Sequence, residues 1–327
     1  MPAFSLSAGL RRRSLLLGSA SLALPSSFAW AQTAHTDTSR STAERPIVLG
    51  TSTPGGGFAL YGEMLERVLN RQAGRTLLQA RPTRGTAENV TLLQRGELDA
   101  ALIQGTSASE IFQQGAASGL RILFAMYPSP GMLAVPAAST VKRLDDVAGQ
   151  KVVFGVRTSG LVTLGRQVFS GIGLDIDRDV QALYVEQAAE SPRIVLAGHA
   201  VGLWGAGEGW PGFTQLAGSP GGARFIGPSA QQIARIVEKY PLLKSMEVAA
   251  GTYPGIDKPL ATVGSVNLIL ARADLDDRRA AAFVQAMQAS SADLAAALPQ
   301  AAFSTLANTL TSAPSPELLH RAAAQHK

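Results

Sequence analysis

Residues 46–70, PIVLGTSTPGGGFALYGEMLERVLN, decide how this chain reads. The short apolar run Ile47-Val48-Leu49-Gly50 has the pattern of a buried β-strand. After the glycines, Leu60, Met64, Leu65, Val68 and Leu69 recur at the spacing of one helical face. The loop Thr51-Ser52-Thr53-Pro54-Gly55-Gly56-Gly57 therefore sits where a strand stops and a helix starts. Glycines there let a ligand approach bare amides, and the helix N-terminus offers unpaired N–H groups to a carboxylate or phosphate. A tight β–α connection that binds nothing has the same pattern, so the loop alone leaves both readings open.

Working outward, Thr76 to Ala80 reads as a second strand and Pro82 to Thr86 as a turn. Thr86 is placed to cap a helix over Ala87 to Arg95, which Gly96 ends before a third strand, Leu98 to Gln104. The same order returns about a hundred residues on. Lys151 to Val156 is a strand, Arg157-Thr158-Ser159-Gly160 a loop, and Leu161 to Ser170 a helix. Val180 to Val185 is a strand, Glu186 to Ala197 a helix closed by Gly198, and Ala200 to Trp204 a strand. Alternation of this kind predicts an α/β fold with mostly parallel sheets flanked by helices. Two such units suggest two lobes facing a cleft at the carboxyl ends of their strands. The apolar stretches Ile122 to Pro136 and Thr262 to Arg272 are then the strands that cross between lobes, a two-strand hinge. Asp276 to Leu298 reads as one alanine-rich helix capped by Asp276, and Pro299, Pro314 and Pro316 break up the tail.

With 327 residues, 46% of them hydrophobic, the chain can support two cores. It has no cysteine, which excludes disulfides, thiolate metal sites and a cysteine nucleophile. The formal charge of +5 shrinks to about +2 without Arg11, Arg12 and Arg13, and no basic stripe with interleaved aromatics points to nucleic acid. Those arginines precede an apolar core, Leu15 to Leu24, and an Ala29-Trp30-Ala31 cleavage motif. Residues 1–31 thus have the anatomy of an export signal, with Arg12-Arg13-Ser14-Leu15-Leu16 similar to the twin-arginine type. A polar tether, residues 32–45, follows, and the mature chain is expected not to span a membrane.

Four phrases in order resemble one family. They are Thr53-Pro54-Gly55-Gly56-Gly57, Gly85-Thr86-Ala87-Glu88-Asn89, Gly96 to Gln104, and Lys239-Tyr240-Pro241 with Ala250-Gly251-Thr252-Tyr253-Pro254-Gly255-Ile256-Asp257. Together they are similar to the TAXI solute receptors of TRAP transporters. The resemblance implies a two-lobed periplasmic binding protein of type II, with lobe 1 from 46–133, lobe 2 from 134–261, and a return to lobe 1 over 262–327. It implies a periplasmic receptor, not an enzyme, that binds a small carboxylate or amino acid of the glutamate or 2-oxoglutarate class. Membrane permease subunits are its expected partners, and no cofactor is expected. One departure stands out. Where the family often shows Gly-Ser-Gly-Thr, this chain has Arg157-Thr158-Ser159-Gly160-Leu161, which removes a hydroxyl and adds a cation.

The candidate ligand-binding residues are Thr53, Gly56, Gly57, Tyr61, Arg84, Asn89, Gln104, Arg157, Thr158, Ser159 and Trp204. Arg157 and Arg84 are candidates to grip a carboxylate, since a guanidinium can do so bidentately. Thr53, Gly56 and Gly57 offer a hydroxyl and amides at a helix start. Asn89 and Gln104 offer amides, and Tyr61 and Trp204 are candidate walls, though either ring would serve equally as core. Asp175-Ile176-Asp177-Arg178-Asp179 alternates like a calcium loop but lacks the glycine and closing glutamate of an EF-hand. No histidine spacing suits a metal, and no nucleophile elbow or P-loop is present, so no metal or catalytic residue is assigned. A sensor feeding a membrane kinase would look the same in sequence, and an enzyme on the same fold is the third alternative.

Overall fold

The computed structural model describes residues 45–325. The expected export signal, and the tether up to residue 44, lie outside them. Ten strands and eleven α-helices are formed among the described residues. The first β–α units are β1 (Ile47–Gly50), α1 (Gly57–Ala73), β2 (Leu78–Arg81), α2 (Thr86–Gln94), β3 (Ala100–Ile103) and α3 (Gly105–Phe112). The long strand β4 (Leu120–Pro136) leads to β5 (Lys151–Val156), α4 (Gly160–Gly171), β6 (Gln181–Val185), α5 (Ser191–Leu196) and β7 (Gly202–Ala206). Then come α6 (Pro211–Ala217), β8 (Ala223–Ile226), α7 (Ala230–Lys239), β9 (Lys244–Val248) and the second long strand, β10 (Leu260–Arg272). Helices α8 (Asp277–Ala289) and α9 (Ser291–Ala297) and short C-terminal turns complete the fold.

The strand order is β2-β1-β3-β10-β4-β7-β5-β6, with β8 on β4 and β9 on β10. Strand β1 runs parallel to β2 and β3, and β5 parallel to β6 and β7, as β–α–β connections require. The long strand β10 is antiparallel to β3 of the first group and to β4, and β4 is antiparallel to β7 of the second. Strand β4 pairs with β10 through Pro130↔Gly264 and takes β7 as partner from Gly131↔Ala206 onward. Pro128 and Pro130 have no N–H to donate, and the register between β4 and β10 shifts between Val266 and Leu268. The chain thus bends where it passes from one half of the sheet to the other.

Each half has cores on both faces. In the first, Ile47, Leu49, Leu65, Phe283 and Met287 pack under α1 and α8, while Leu93, Ile103, Ile122 and Leu270 fill the opposite face. In the second, Phe154, Phe169 and Trp204 meet edge to face at 5.6 and 5.3 Å. On its other face Trp210, Phe213, Phe225 and Tyr253 form an aromatic group within 4.7–5.6 Å.

Three expectations need correction. The stretch 186–197 is not one helix: a single 3-10 turn, Ala188–Glu190, precedes α5, whose second residue, Pro192, has no N–H for a longer helical ladder. The C-terminal helix breaks at Ser290, which ends α8 by donating to Ala286 O and starts α9. Thr86 does not cap α2. Gly85 holds that position at φ 98°, open to glycine but strained for other residues, and Thr86 Oγ1 accepts the Gln104 N–H instead (3.2 Å).

Candidate functional site

Five strand-to-helix junctions meet at one cavity between the halves of the sheet. Its lining includes Thr53, Gly56, Gly57 and Phe58 after β1, Arg84, Gly85 and Thr86 after β2, and Gln104 after β3. From the second half come Val156, Ser159, Gly160 and Leu161 after β5, and Ala206 and Trp210 after β7. Tyr127 and Ser129 of β4 and Asn267 of β10 supply the floor. The cavity volume is about 70 Å³. That is room for about five to seven water-sized groups.

Helices α1 and α4 enter this cavity from opposite halves, and neither has a side-chain cap. Ala59 N–H is taken by Ser52 Oγ (3.0 Å) and Leu60 N–H by Gly56 O (3.2 Å), which leaves the amides of Gly57 and Phe58 without acceptors among the described residues. At α4, Val162 N–H bonds Ser159 O (3.2 Å), and the amides of Gly160 and Leu161 are likewise left. Two positive helix ends thus face the same space. Gly57 matters here because a Cβ on it would lie 3.3 Å from both Trp210 Cδ1 and Tyr127 Oη, so ring and hydroxyl border the first amide of α1.

Trp210 is 3% and Tyr127 4% exposed. Trp210 Nε1 and Ser159 Oγ are buried without a hydrogen-bond partner. Burial pushes the Tyr127 phenol far above its ordinary pKa, with Tyr61 and Tyr253 adding to the shift, so it is a permanent O–H donor. Gln104 Oε1 accepts from Thr106 N (2.9 Å) and Ser107 N (3.3 Å), while its Nε2 donates to Ser265 Oγ (3.1 Å). Asn267 Oδ1 accepts from Gly105 N (3.3 Å). The loop that carries Trp210 is held by Tyr253, whose hydroxyl accepts from Trp210 N (2.8 Å) and donates to Gly207 O (3.0 Å). The phrase Ala250 to Asp257 thereby gains a physical role: it fixes a cavity wall from behind.

The two halves are bonded together around the cavity. Thr53 Oγ1 accepts the N–H of Ala188 (3.1 Å), Pro54 O that of Ala189 (3.2 Å), and Thr158 O that of Ala87 (3.1 Å). Thr158 Oγ1 donates to Arg84 O (2.9 Å), Arg84 pairs with Glu186 (2.8 Å), and Gln167 donates to Glu110 (2.9 Å).

Of the residues singled out in the sequence, Thr53, Gly56, Gly57, Arg84, Gln104 and Ser159 lie on the cavity. The structure places the other five elsewhere. Tyr61 is fully buried on the inner face of α1, its hydroxyl 2.7 Å from Ser304 Oγ, and its edge-on neighbour Tyr127 faces the cavity instead. Trp204 is core, donating Nε1–H to Leu161 O (3.0 Å). Asn89 is a buried brace whose Nδ2 donates to Thr51 O and Leu102 O (2.9 Å each) and whose Oδ1 accepts from Thr83 (2.7 Å). The Arg157 guanidinium lies 3.7 Å over the Tyr184 ring at the exposed edge. Thr158 serves the bonds between halves. The sequence reading passed over Trp210, Tyr127 and Asn267. The available signal for Trp210 was Gly207-Glu208-Gly209-Trp210-Pro211, a third glycine-rich junction with proline at a helix start.

Among the described residues no group of three or more His, Asp or Glu is placed to hold a metal ion, and no helix is long and apolar enough to cross a membrane.

Solved structures share this architecture. A binding protein component of an ABC phosphonate transporter from Pseudomonas aeruginosa is 14% identical, with 79% of each chain covered and a TM-score of 0.51. A protein from Bordetella bronchiseptica RB50 is 14% identical, covering 79% of this chain and 77% of its own, also at 0.51. The alkanesulfonate-binding protein SsuA from Xanthomonas axonopodis pv. citri is 16% identical, covering 86% and 84%, at 0.48. For the first two, at such identities, the likeness is one of fold: an α/β periplasmic binding protein of type II. No curated protein matches the chain. A family model described as NMT1-like family matches residues 49–326, nearly all of the structure, and the chain belongs to that family.

Proposed function

We propose that this chain is a periplasmic solute receptor that closes its two lobes on a small carboxylate and passes it, chemically unchanged, to a TRAP-type secondary transporter. One observation carries the reading: α1 and α4, one from each half of the sheet, both open with unpaired amides onto the same cavity. A solute bonded to both would join the lobes and favour the closed form by its differential affinity. The reading takes the lobes as the sequence divides them, with residues 46–133 and 262–327 in one and 134–261 in the other, and the passages of β4 and β10 near Pro130 and Gly264 as the hinge. Closure also explains the ring of bonds around the cavity, from Thr53 to Ala188 and from Thr158 to Ala87. Export of the chain rests on the leader in residues 1–31, and TRAP delivery on the four TAXI-like phrases. The phosphonate-transporter component of similar fold belongs to an ABC system, so energy coupling is the point to test.

A thermal-shift screen of the chain from Gln32 against carboxylates, keto acids and sugars tests the receptor. A solute at a hundredfold excess over its dissociation constant adds about 2.7 kcal/mol of stability. A response to sugars alone would refute the anion reading. Uptake of the active solute by cells, abolished by collapsing the ion gradient while ATP is maintained, is the result expected for TRAP delivery; dependence on ATP alone would assign the receptor to an ABC system.

A further inference from the structure

The side-chain polar atoms left over in the cavity are N–H donors or hydroxyls that can donate. Trp210 Nε1–H is unpartnered in a side chain 97% buried by its 3% exposure. Tyr127 Oη and Ser159 Oγ carry hydrogens and make no hydrogen bond among the described residues. Asn267 spends its oxygen on Gly105 N–H, which leaves its two amide hydrogens. Four backbone amides, of Gly57, Phe58, Gly160 and Leu161, join them. The acceptors nearby are engaged: Thr53 Oγ1 by Ala188, Ser52 Oγ by Ala59, Thr86 Oγ1 by Gln104, and Gln104 Oε1 by Thr106 and Ser107.

No aspartate or glutamate lines the cavity. An ammonium group brought inside would find no counter-charge, and burying it unpaired is prohibitive. The one lining cation, Arg84, is paired with Glu186 and half exposed, and Arg157 is stacked on Tyr184 outside. The remaining walls, Phe58, Val156, Leu161, Ala188 and Ala206, are apolar. A second carboxylate against them would lose its hydration with nothing in return.

We infer that the solute is a short aliphatic monocarboxylate, its carboxylate held by the neutral donors of Trp210, Tyr127 and Asn267 and by the ends of α1 and α4, without an arginine. A cavity of about 70 Å³ takes a carboxylate with about two to four further carbons. This narrows the receptor reading above and rests on it: amino acids and 2-oxoglutarate, admitted by the sequence, are excluded.

The test is calorimetric titration of the chain from Gln32 with propanoate, butanoate and 2-methylpropanoate, and in parallel with butanamide, alanine, glutamate, succinate and 2-oxoglutarate. The monocarboxylates are expected to bind about a hundredfold or more tightly than the amide and every other compound, since charge-assisted hydrogen bonds are the ones lost. Trp210→Phe and Tyr127→Phe are each expected to weaken butanoate about tenfold or more, with melting temperature reporting on folding. If Trp210→Phe does not fold, Tyr127→Phe carries the test. Tighter binding of glutamate or a dicarboxylate would overturn the monocarboxylate and keep the receptor. Undiminished affinity in a folded variant would overturn the donor set. Failure of every carboxylate, in contrast, would remove the carboxylate receptor itself.

Discussion

Gly160, the first residue of α4, faces Gln104 across the cleft so closely that a methyl group on it would lie 2.2 Å from Gln104 Cβ and 2.8 Å from Thr86 Oγ1. The two halves of the sheet can come together only because one of them presents a bare α-carbon at this point. Gly160→Ala should therefore oppose closure while leaving each lobe intact. Overpacking of this kind typically costs about 1–3 kcal/mol, which predicts about 5- to 150-fold weaker solute binding. Small-angle scattering with saturating solute checks the cause: the variant should retain the larger radius of gyration of the open form.

The arginines should contribute little. Arg157→Ala is expected to leave solute affinity within about twofold, because its guanidinium lies over Tyr184 outside the cavity. Arg84→Ala breaks an ion pair whose partners are 51% and 78% exposed, and such pairs are worth at most about 1 kcal/mol. Affinity should fall no more than about fivefold, and the difference should vanish in high salt. A large loss in either variant at high salt would return the anion clamp to an arginine.

Asn89→Ala should show as lost stability rather than altered specificity. The substitution removes the amide's bonds to the buried carbonyls of Thr51 and Leu102 and its acceptance of the Thr83 hydroxyl, leaving Thr83 only its bond to Thr51 O (3.0 Å), at the root of the loops that carry Thr53 and Arg84. Urea unfolding should report a loss of about 2–4 kcal/mol, with the order of preference among solutes unchanged.

Acid should destabilise the fold in two stages. His320 is 1% exposed, with Nδ1 accepting from Ala322 N (3.2 Å) and Nε2 unpartnered. Burial lowers its pKa, Asp277 partly opposing, so the unfolded chain takes the proton first. Its contribution is complete above the unfolded value of about 6.5 and is lost as pH falls through the folded one. Asp99 comes second. Burial raises its pKa, but hydrogen bonds from Arg279 (2.8 Å) and Val48 N (3.0 Å) and the charges of Arg279 and Arg45 more than offset this, and the net shift is downward. Its contribution holds above about pH 4 and is lost below it. Unfolding midpoints from pH 7 to 2 should flatten in the upper part of this range for His320→Gln and in the lower part for Asp99→Asn.

Much of the architecture was legible because strands and helices are local in cause. The run Lys151 to Val156 forms the strand expected of it, and Leu65, Val68 and Leu69 face inward from α1 as their spacing requires. Local chemistry also explains where the expectations slipped. Pro192 broke a helix whose periodicity ran on, and Ser290 divided another whose composition gave no warning.

The site was less legible, since one residue type reads alike in either environment. Tyr61 and Tyr127 are edge-on neighbours 5.2 Å apart, and nothing in their local sequence tells which of them meets the cavity. Trp204 and Trp210 differ in the same way: one lies under α4, the other against Gly57. Arg157 stands beside a binding loop in sequence, yet the Tyr184 ring on the neighbouring strand draws it outward.

The sequence by itself determined the α/β alternation, the glycine-rich junctions and the two long crossing strands, because hydrophobic period and turn chemistry act within a few residues. Only the tertiary structure decided which groups meet in the cleft. Burial, partnering and charge neutralisation there depend on residues such as Gly57 and Trp210, or Arg84 and Glu186, that are about a hundred or more positions apart along the chain and meet only in the folded structure.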